Sequence, residues 1–545
     1  MIFKSPNTFL TDIARKKTML IHINCAKCIG IEALPVKVEV DISPGIGIHL
    51  VGMADLAVKE SLLRTVTALQ SVGFRIPGRK IVISLAPADI RKSGSGYDLP
   101  IAIGIIAASG QCSLPLISSY LIMGELGLDA SVRPLSGALP IAEYAAKDGL
   151  AGCILPYSSA LEAAELKGTK IYGVRSLEEV IWILQGDRRA AGLIIATSHD
   201  KEDGRQEGEY MDFADILGQE GAKRGAEIAA AGGHNLIMIG PPGSGKTSIA
   251  RAIVGILPPM EQDEAILTSK IYSVAGLHNG ACGLVRQRPF RSPHYSVSMA
   301  AMIGGGNADN ILPGEISLAQ NGVLFIDEFG QMSRQITEAL RGPLEDRKVI
   351  ISRLRTKVEY PASFMLIAAT NPCPCGYYGE KGRCTCSPYK RADYLSRLSG
   401  PIMDRIDIQI NIRPVSPASL VSKTRGECSR DIRSRITAAR KIQRMRFKEE
   451  GIYLNAEMQG RQIEKYCLTN SNVTGILEAI ASKYGLSARG FTRVLKVART
   501  IADLESSCGP SKEGSDPSEA AVGMPIREDH LLEALSYRFL DRVLS

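Results

Sequence analysis

Two short segments of the 545-residue chain carry residue types that handle phosphate. Gly240-Pro241-Pro242-Gly243-Ser244-Gly245-Lys246-Thr247 matches the pattern G-x-x-x-x-G-K-[ST]. In that pattern glycines let backbone N–H groups converge on phosphate oxygens, the lysine bridges the outer phosphates and the hydroxyl serves Mg²⁺. Ser248 follows directly and is grouped with the loop as nucleotide-binding. Further on, Asp327 and Glu328 stand side by side. One carboxylate to hold a Mg²⁺ shell and a second to polarise the attacking water is the division of labour that phosphoryl transfer requires. Thr370 and Asn371 supply a polar amide able to orient a water near a γ-phosphate, with a plain Asn-Pro turn as the alternative. Taken singly, the first two segments could be a chance glycine-rich turn and a helix-capping acidic pair.

These groups are useful only where the ends of buried strands deliver them. The apolar runs at residues 236–239, 323–326 and 364–369 stop at the glycine-rich loop, the acidic pair and Thr370-Asn371 respectively. That predicts an α/β core of parallel strands with its ligand at their C-terminal ends. A helix is expected from about Lys246. Arg405 precedes an alternating strand at residues 406–410, and Arg489 opens an apolar-periodic helix after Ser487. Upstream, alternation predicts a hairpin over residues 36–51, a helix over 54–71 whose apolar side carries Leu56, Leu63, Val66 and Leu69, a strand at 81–85 and a helix from Asp98. The segment 186–211 is polar and reads as a linker; beyond residue 414 a helical period dominates, broken by a loop over 506–523.

Composition narrows the classes. With 45% apolar residues the chain is globular, and at ~150 residues per domain it should hold about three domains. Twelve cysteines are too few for a secreted disulfide scaffold and point to a reducing compartment. The longest apolar run, residues 99–108, is about half of what a membrane-spanning helix needs, so no membrane segment is expected. Residues 1–19 read as an extension, with Met19 an alternative start. Cys373-x-Cys375 and Cys384-x-Cys386 could enclose tetrahedral Zn²⁺ or remain free or redox-active thiols. Cys25-x-x-Cys28 reads as buried or free thiols. The formal charge of +8 permits nucleic-acid contact without demanding it. Candidate DNA-facing cations are Arg286, Arg288 and Arg291, a hairpin bearing Lys348, Arg353, Arg355 and Lys357, and a basic helix running from Arg430 through Arg433, Arg435, Arg440, Lys441, Arg444 and Arg446 to Lys448. The alternative for each is a solvated charged surface.

Together the phrases "VEVDISPG", "APADIRKSGSGYDLPIA", "GPPGSGKT", "RPFRSPHYS", "PGEISLAQNGVLFIDE", "ATNPCPCG", "LSGPIMDRID" and "LSARGFTRVLKVARTIADL" resemble the magnesium-chelatase-like YifB/ComM family of AAA+ ATPases over about residues 20–545. The resemblance implies an AAA+ P-loop core at 212–414, an N-terminal Lon-protease-like (ribosomal S5 domain 2-like) α+β domain at 20–185 and a C-terminal helical lid at 415–545. It implies Asn371 as sensor 1, Arg405 as an arginine finger acting on the neighbouring subunit and Arg489 as sensor 2. With Lys246, Thr247, Asp327 and Glu328 these would hydrolyse ATP with Mg²⁺ in a cytoplasmic homo-hexamer. The implied activity is a DNA motor, a branch-migration helicase that handles single-stranded or branched DNA with recombination proteins during natural transformation. Alternatives are a chelatase-type motor subunit that remodels a protein partner and a Lon-like peptidase. Against the peptidase, Gly96 falls where the nucleophilic serine should stand and Pro140 where its lysine should. This chain departs from the family pattern at His294-Tyr295 and at Phe329-Gly330-Gln331-Met332.

Overall fold

A computed structural model describes residues 20–53, 55–195, 210–278, 283–307, 310–353, 356–378, 382–396, 398, 400–414, 425–467, 487–508 and 524–538. The extension 1–19, most of the linker, Arg355 and the 506–523 loop beyond residue 508 lie outside them.

The first part of the chain forms a seven-stranded mixed sheet in the order Ile48–Val51, Lys80–Ala86, Glu32–Ser43, Ile21–Ile29, Tyr120–Ile122, Gly152–Pro156, Lys170–Val174. The hairpin expected at 36–51 is not formed. Glu32–Ser43 pairs antiparallel with Ile21–Ile29 on one side and Lys80–Ala86 on the other, while Ile48–Val51 lies parallel to the far edge of Lys80–Ala86. The Ser43-Pro44-Gly45 turn therefore carries the chain across an intervening strand rather than back beside itself. The helix Leu56–Ser71 forms as expected, but it buries Val58, Ser61, Thr65, Ala68 and Leu69 and leaves Leu63 74% exposed. The small polar residues face inward because Thr65 donates to the Asp98 carbonyl and Arg64 pairs with the buried Asp98 carboxylate at 2.8 Å.

Five parallel strands form the second sheet, in the order Phe290–Arg291, Val323–Ile326, Met365–Thr370, Leu236–Ile239, Ile408–Asn411. Both faces are buried. Leu236, Met238, Val323, Phe325, Ile367 and Ala369 face one apolar cluster; Ile237, Ile239, Leu324, Ile326, Leu366 and Ala368 face the other. Double-sided burial is why these strands read as unbroken apolar runs. The last strand begins at Ile408, two residues later than its alternation suggested, because Asp407 caps its start: Asp407 accepts from the Asn235 amide at 3.1 Å.

The polar linker does not separate the cores. Met260, Ala265 and Leu284 from the part of the chain that carries the second sheet pack in the cluster of the first sheet, and Lys270 pairs with Glu143 at 2.6 Å. The C-terminal helices Ser429–Arg446, Ala488–Cys508 and Glu528–Ser536 complete one face of the second sheet. At their centre Arg446 pairs with Asp503 at 2.6 Å and Arg499 with the same carboxylate at 3.0 Å, all three almost fully buried.

At the junction of the first two cores Glu162 is 7% exposed, with Oε2 lacking a hydrogen-bond partner. Burial pushes its carboxyl up to about 7, the Ser273 hydroxyl opposing. An unfolded glutamate titrates near ~4.3, so the folded state holds this proton more tightly. The associated stability is complete below ~4.3 and is lost as pH rises through about 7. Glu162→Gln, neutral throughout, is therefore expected to melt with the parent chain near pH 4.5 and above it near pH 8. A melting-point difference that does not grow with pH in circular-dichroism scans would refute this.

Candidate active site

The loop after Leu236–Ile239 turns through Gly243 and Gly245, at φ +75° and +90°, and delivers the helix Lys246–Ile256. Those left-handed angles are the reason glycine occupies both positions. Gly240 serves a different need: a Cβ there would lie 2.5 Å from the Ile412 carbonyl oxygen. Lys246 is 8% exposed; its Nζ donates to the Gly240 and Pro241 carbonyls at 2.8 and 2.9 Å and to Asn371 Oδ1 at 3.4 Å. Burial lowers its pKa, and the nearby Asp327 and Glu328 carboxylates oppose that.

Thr247 Oγ1 donates to Asp327 Oδ2 at 3.0 Å, joining the first helical turn to the end of Val323–Ile326. A hydroxyl and a carboxylate in contact are the hard oxygen donors that suit Mg²⁺. Glu328 stands at φ +51°, left-handed for a residue with a side chain, and its amide donates to Asp327 Oδ1 at 2.9 Å. Such a conformation costs on the order of 1–3 kcal/mol and persists only where the surroundings impose it. Asn371 meets Lys246 because Met365–Thr370 lies between the strands that carry the loop and the acidic pair. Residues 240–248, Asp327, Glu328 and Asn371 thus form one constellation at the C-terminal end of the sheet.

Arg405 and Arg489 are elsewhere. Asn235, just before Leu236, donates from Nδ2 to the Arg405 carbonyl at 3.0 Å, so Arg405 lies at the opposite end of the sheet from the phosphate loop. It is 8% exposed, donates to the Pro401 carbonyl at 2.8 Å and pairs with Glu345. Arg489 lies beside it, 3.8 Å from Asp404, with its side chain 62% exposed.

Sequence reasoning missed three contributors. Gln219, left-handed at φ +61°, donates to the Arg413 and Ser244 carbonyls at 2.6 and 3.3 Å and ties the loop to the edge strand. Tyr394 Oη lies 3.0 Å from Thr370 Oγ1. Gly376 abuts Pro242 of the phosphate loop. Residue type at these positions carried no signal, because each acts through a contact between distant segments. The four cysteines do converge, their sulfurs within 4.8 Å of one another. Cys25 and Cys28 are free thiols whose pKa values burial raises.

The basic segments divide. Arg288 is buried, donating to the Pro258 and Asn321 carbonyls and to Glu264 at 2.9 Å. Arg291 holds Glu315 through two bonds of 2.6 and 2.7 Å, and Arg286 pairs with Glu165. Arg288 and Arg291 are thus taken up in structural ion pairs, whereas Arg286, though paired, stays exposed. In the basic helix Arg435 binds Glu227 at 2.8 Å, Arg440 donates to the Ala230 carbonyl, Arg444 pairs with Glu261 and Arg446 is the buried partner of Asp503. Arg430, Lys441 and Lys448 remain exposed. The hairpin Lys348–Ser352/Lys357–Pro361 forms as expected and exposes Lys348, Arg353 and Lys357. Beside it lies the ribbon Gly304–Asn307/Asn310–Pro313; a Cβ on Gly305 would be 3.4 Å from Arg353 Nη2.

A central parallel sheet with a phosphate loop, a lysine, a hydroxyl–aspartate pair and a polar amide at one end defines a mixed α/β fold consistent with a P-loop ATPase of the AAA+ type. Residues 212–420 match the family described as magnesium chelatase, subunit ChlI. Residues 38–159 match subunit ChlI of Mg-chelatase, and residues 426–515 match the C-terminal part of that subunit. The chain is 41% identical to YifB of Escherichia coli and 40% identical to YifB of Salmonella typhimurium, in each case over 96% of this chain and 98% of the relative. It is 40% identical to competence protein ComM of Haemophilus influenzae, over 94% of this chain and 96% of that one. The chain belongs to the YifB/ComM magnesium-chelatase-like family. Among the described residues no helix is long and apolar enough to cross a membrane.

Proposed function

We propose that this chain is a cytoplasmic, ring-forming ATPase that moves along DNA, most concretely a branch-migration helicase of natural transformation. The observation that carries the ATPase part is the Thr247–Asp327 contact at 3.0 Å beside the Lys246–Asn371 contact. Residues 240–248 would bind the phosphates, and Thr247 and Asp327 would hold Mg²⁺, which would supply neutralisation of the phosphate charge. Glu328 takes a proton from the attacking water and Asn371 orients that water. Oxygen bonds to the γ-phosphorus as its bond to the bridging oxygen breaks, leaving ADP and inorganic phosphate. The four-cysteine cluster is compatible with a structural zinc beside them.

Arg405 and Arg489 lie far from the chain's own phosphate loop, which supports their acting on a neighbour's nucleotide and hence a hexamer. The first sheet serves as a Lon-protease-like scaffold: Ser95 donates to Glu125, Lys92 is buried against the Pro87 carbonyl, and Pro140 is buried in a helix. The DNA part is supported by the exposed cations of the 348–361 hairpin and by a close relative named for competence. ATP turnover should rise with single-stranded or four-way-junction DNA and be accompanied by strand displacement. An ATPase indifferent to DNA would favour a motor that remodels a protein, the reading suggested by the chelatase-subunit family descriptions. Mixing Arg405→Ala subunits into wild-type rings is expected to lower specific activity by more than their share; a strictly proportional fall would remove the trans role.

A further inference from the structure

The loop leaving Asn371 brings together Cys373, fully buried, and Cys375, Cys384 and Cys386, half-buried. The Cys373–Cys375, Cys375–Cys384 and Cys373–Cys384 sulfur separations are 3.3, 3.6 and 3.9 Å. A disulfide would need about 2.05 Å. A tetrahedron of Zn–S bonds of about 2.3 Å places sulfurs about 3.8 Å apart, inside the observed spread and near its upper end. Four sulfurs with no competing oxygen or imidazole donor in the cluster select zinc over magnesium or calcium.

Within this knot of cysteines the Gly376 amide donates to the Cys373 carbonyl at 2.9 Å, which tucks Gly376 under the first thiol at φ +86°. A Cβ on Gly376 would lie 2.7 and 2.9 Å from Cδ and Cγ of Pro242 and 3.8 Å from Cγ of Asn371. The cysteine loop therefore rests directly on the exposed crest of the phosphate loop, next to the amide that Lys246 reaches.

We propose that Zn²⁺ held by Cys373, Cys375, Cys384 and Cys386 clamps this loop against Pro242, so that the metal sets the conformation of the phosphate loop and nucleotide binding depends on zinc. The inference rests on residues 240–248 being the nucleotide site. Without the ion nothing cross-links the four sulfurs, the knot is free to open, and Gly376 no longer bounds the loop that must present its amides to phosphate.

Zinc content by mass spectrometry and affinity for a fluorescent ATP analogue, both on the full chain, test the two halves. The parent chain should carry about one zinc per chain. The Cys384→Ser/Cys386→Ser double variant should carry none and bind the analogue at least about tenfold more weakly, the scale on which groups supporting a site act. Gly376→Ala keeps all four thiols; it should retain zinc yet also weaken the analogue, which a merely unfolded variant would not do. Lys246→Ala should retain zinc while losing the analogue. A parent chain that stays zinc-free after purification with zinc present would overturn the metal site. Normal nucleotide affinity in the zinc-free double variant would overturn the clamp. A zinc-loaded parent that binds no nucleotide would instead refute the ATPase reading.

Discussion

Lys246→Ala is expected to abolish ATP turnover, by about 10²–10³-fold or more, the scale on which removing one positioned donor to developing charge acts. In the structure the ammonium is buried and satisfied by two carbonyls of its own loop and by Asn371. Incoming phosphate oxygens exchange for those carbonyls at little cost, because the lysine is already desolvated beside Asp327 and Glu328. Alanine removes the charge and also leaves the Gly240 and Pro241 carbonyls without their donor. Binding of the ATP analogue should fall together with turnover. Lys246→Arg should not rescue either, since a planar fork cannot occupy the space of a compact ammonium. Phosphate release and analogue titration on the same preparation, with a melting curve to show that the fold persists, decide the matter; retained turnover in Lys246→Ala would refute the assignment.

Glu328→Gln is expected to separate binding from hydrolysis. The amide is the same size and can occupy the same left-handed position at the end of Val323–Ile326, so the Thr247–Asp327 pair and the loop should be undisturbed. What is lost is a base able to accept a proton, worth about 10²–10⁴-fold in rate. Analogue affinity should stay within about twofold of the parent, and any ring that requires ATP should be stabilised in the variant. If the variant hydrolyses at the parent rate, Glu328 is only an end-of-strand carboxylate.

How much of this was legible before the fold depended on how local each signal was. The strands Leu236–Ile239 and Val323–Ile326 were readable to the residue because a strand buried on both faces must be apolar throughout. The loop between Gly240 and Thr247 was equally readable, since its geometry comes from a few consecutive dihedrals. The hairpin at 36–51 misled because alternation reports a half-buried strand, not which neighbour it pairs with; Lys80–Ala86, far along the chain, inserts between the two halves. Leu63 misled because an apolar residue on a helical period need not face the core when Thr65 finds a partner there and Arg64 reaches the buried Asp98. Which basic residues are paired was not legible for an electrostatic reason: Arg288, Arg291, Arg435 and Arg446 are matched by Glu264, Glu315, Glu227 and Asp503, each at least a score of residues away in sequence.

By itself, then, the order of amino acids determined the phosphate-binding loop, the acidic pair, the strands that present them and the family, because each is written in residues that are neighbours along the chain. Only the tertiary structure decided that Arg405 and Arg489 lie at the opposite end of the sheet from Lys246, that the core of the first sheet takes in residues from the second part of the chain, which cations are buried in ion pairs, and that the cysteine knot leans on Pro242. Those outcomes depend on where separate segments meet, and such meetings are set by packing and ion pairing across the whole chain rather than by any local pattern.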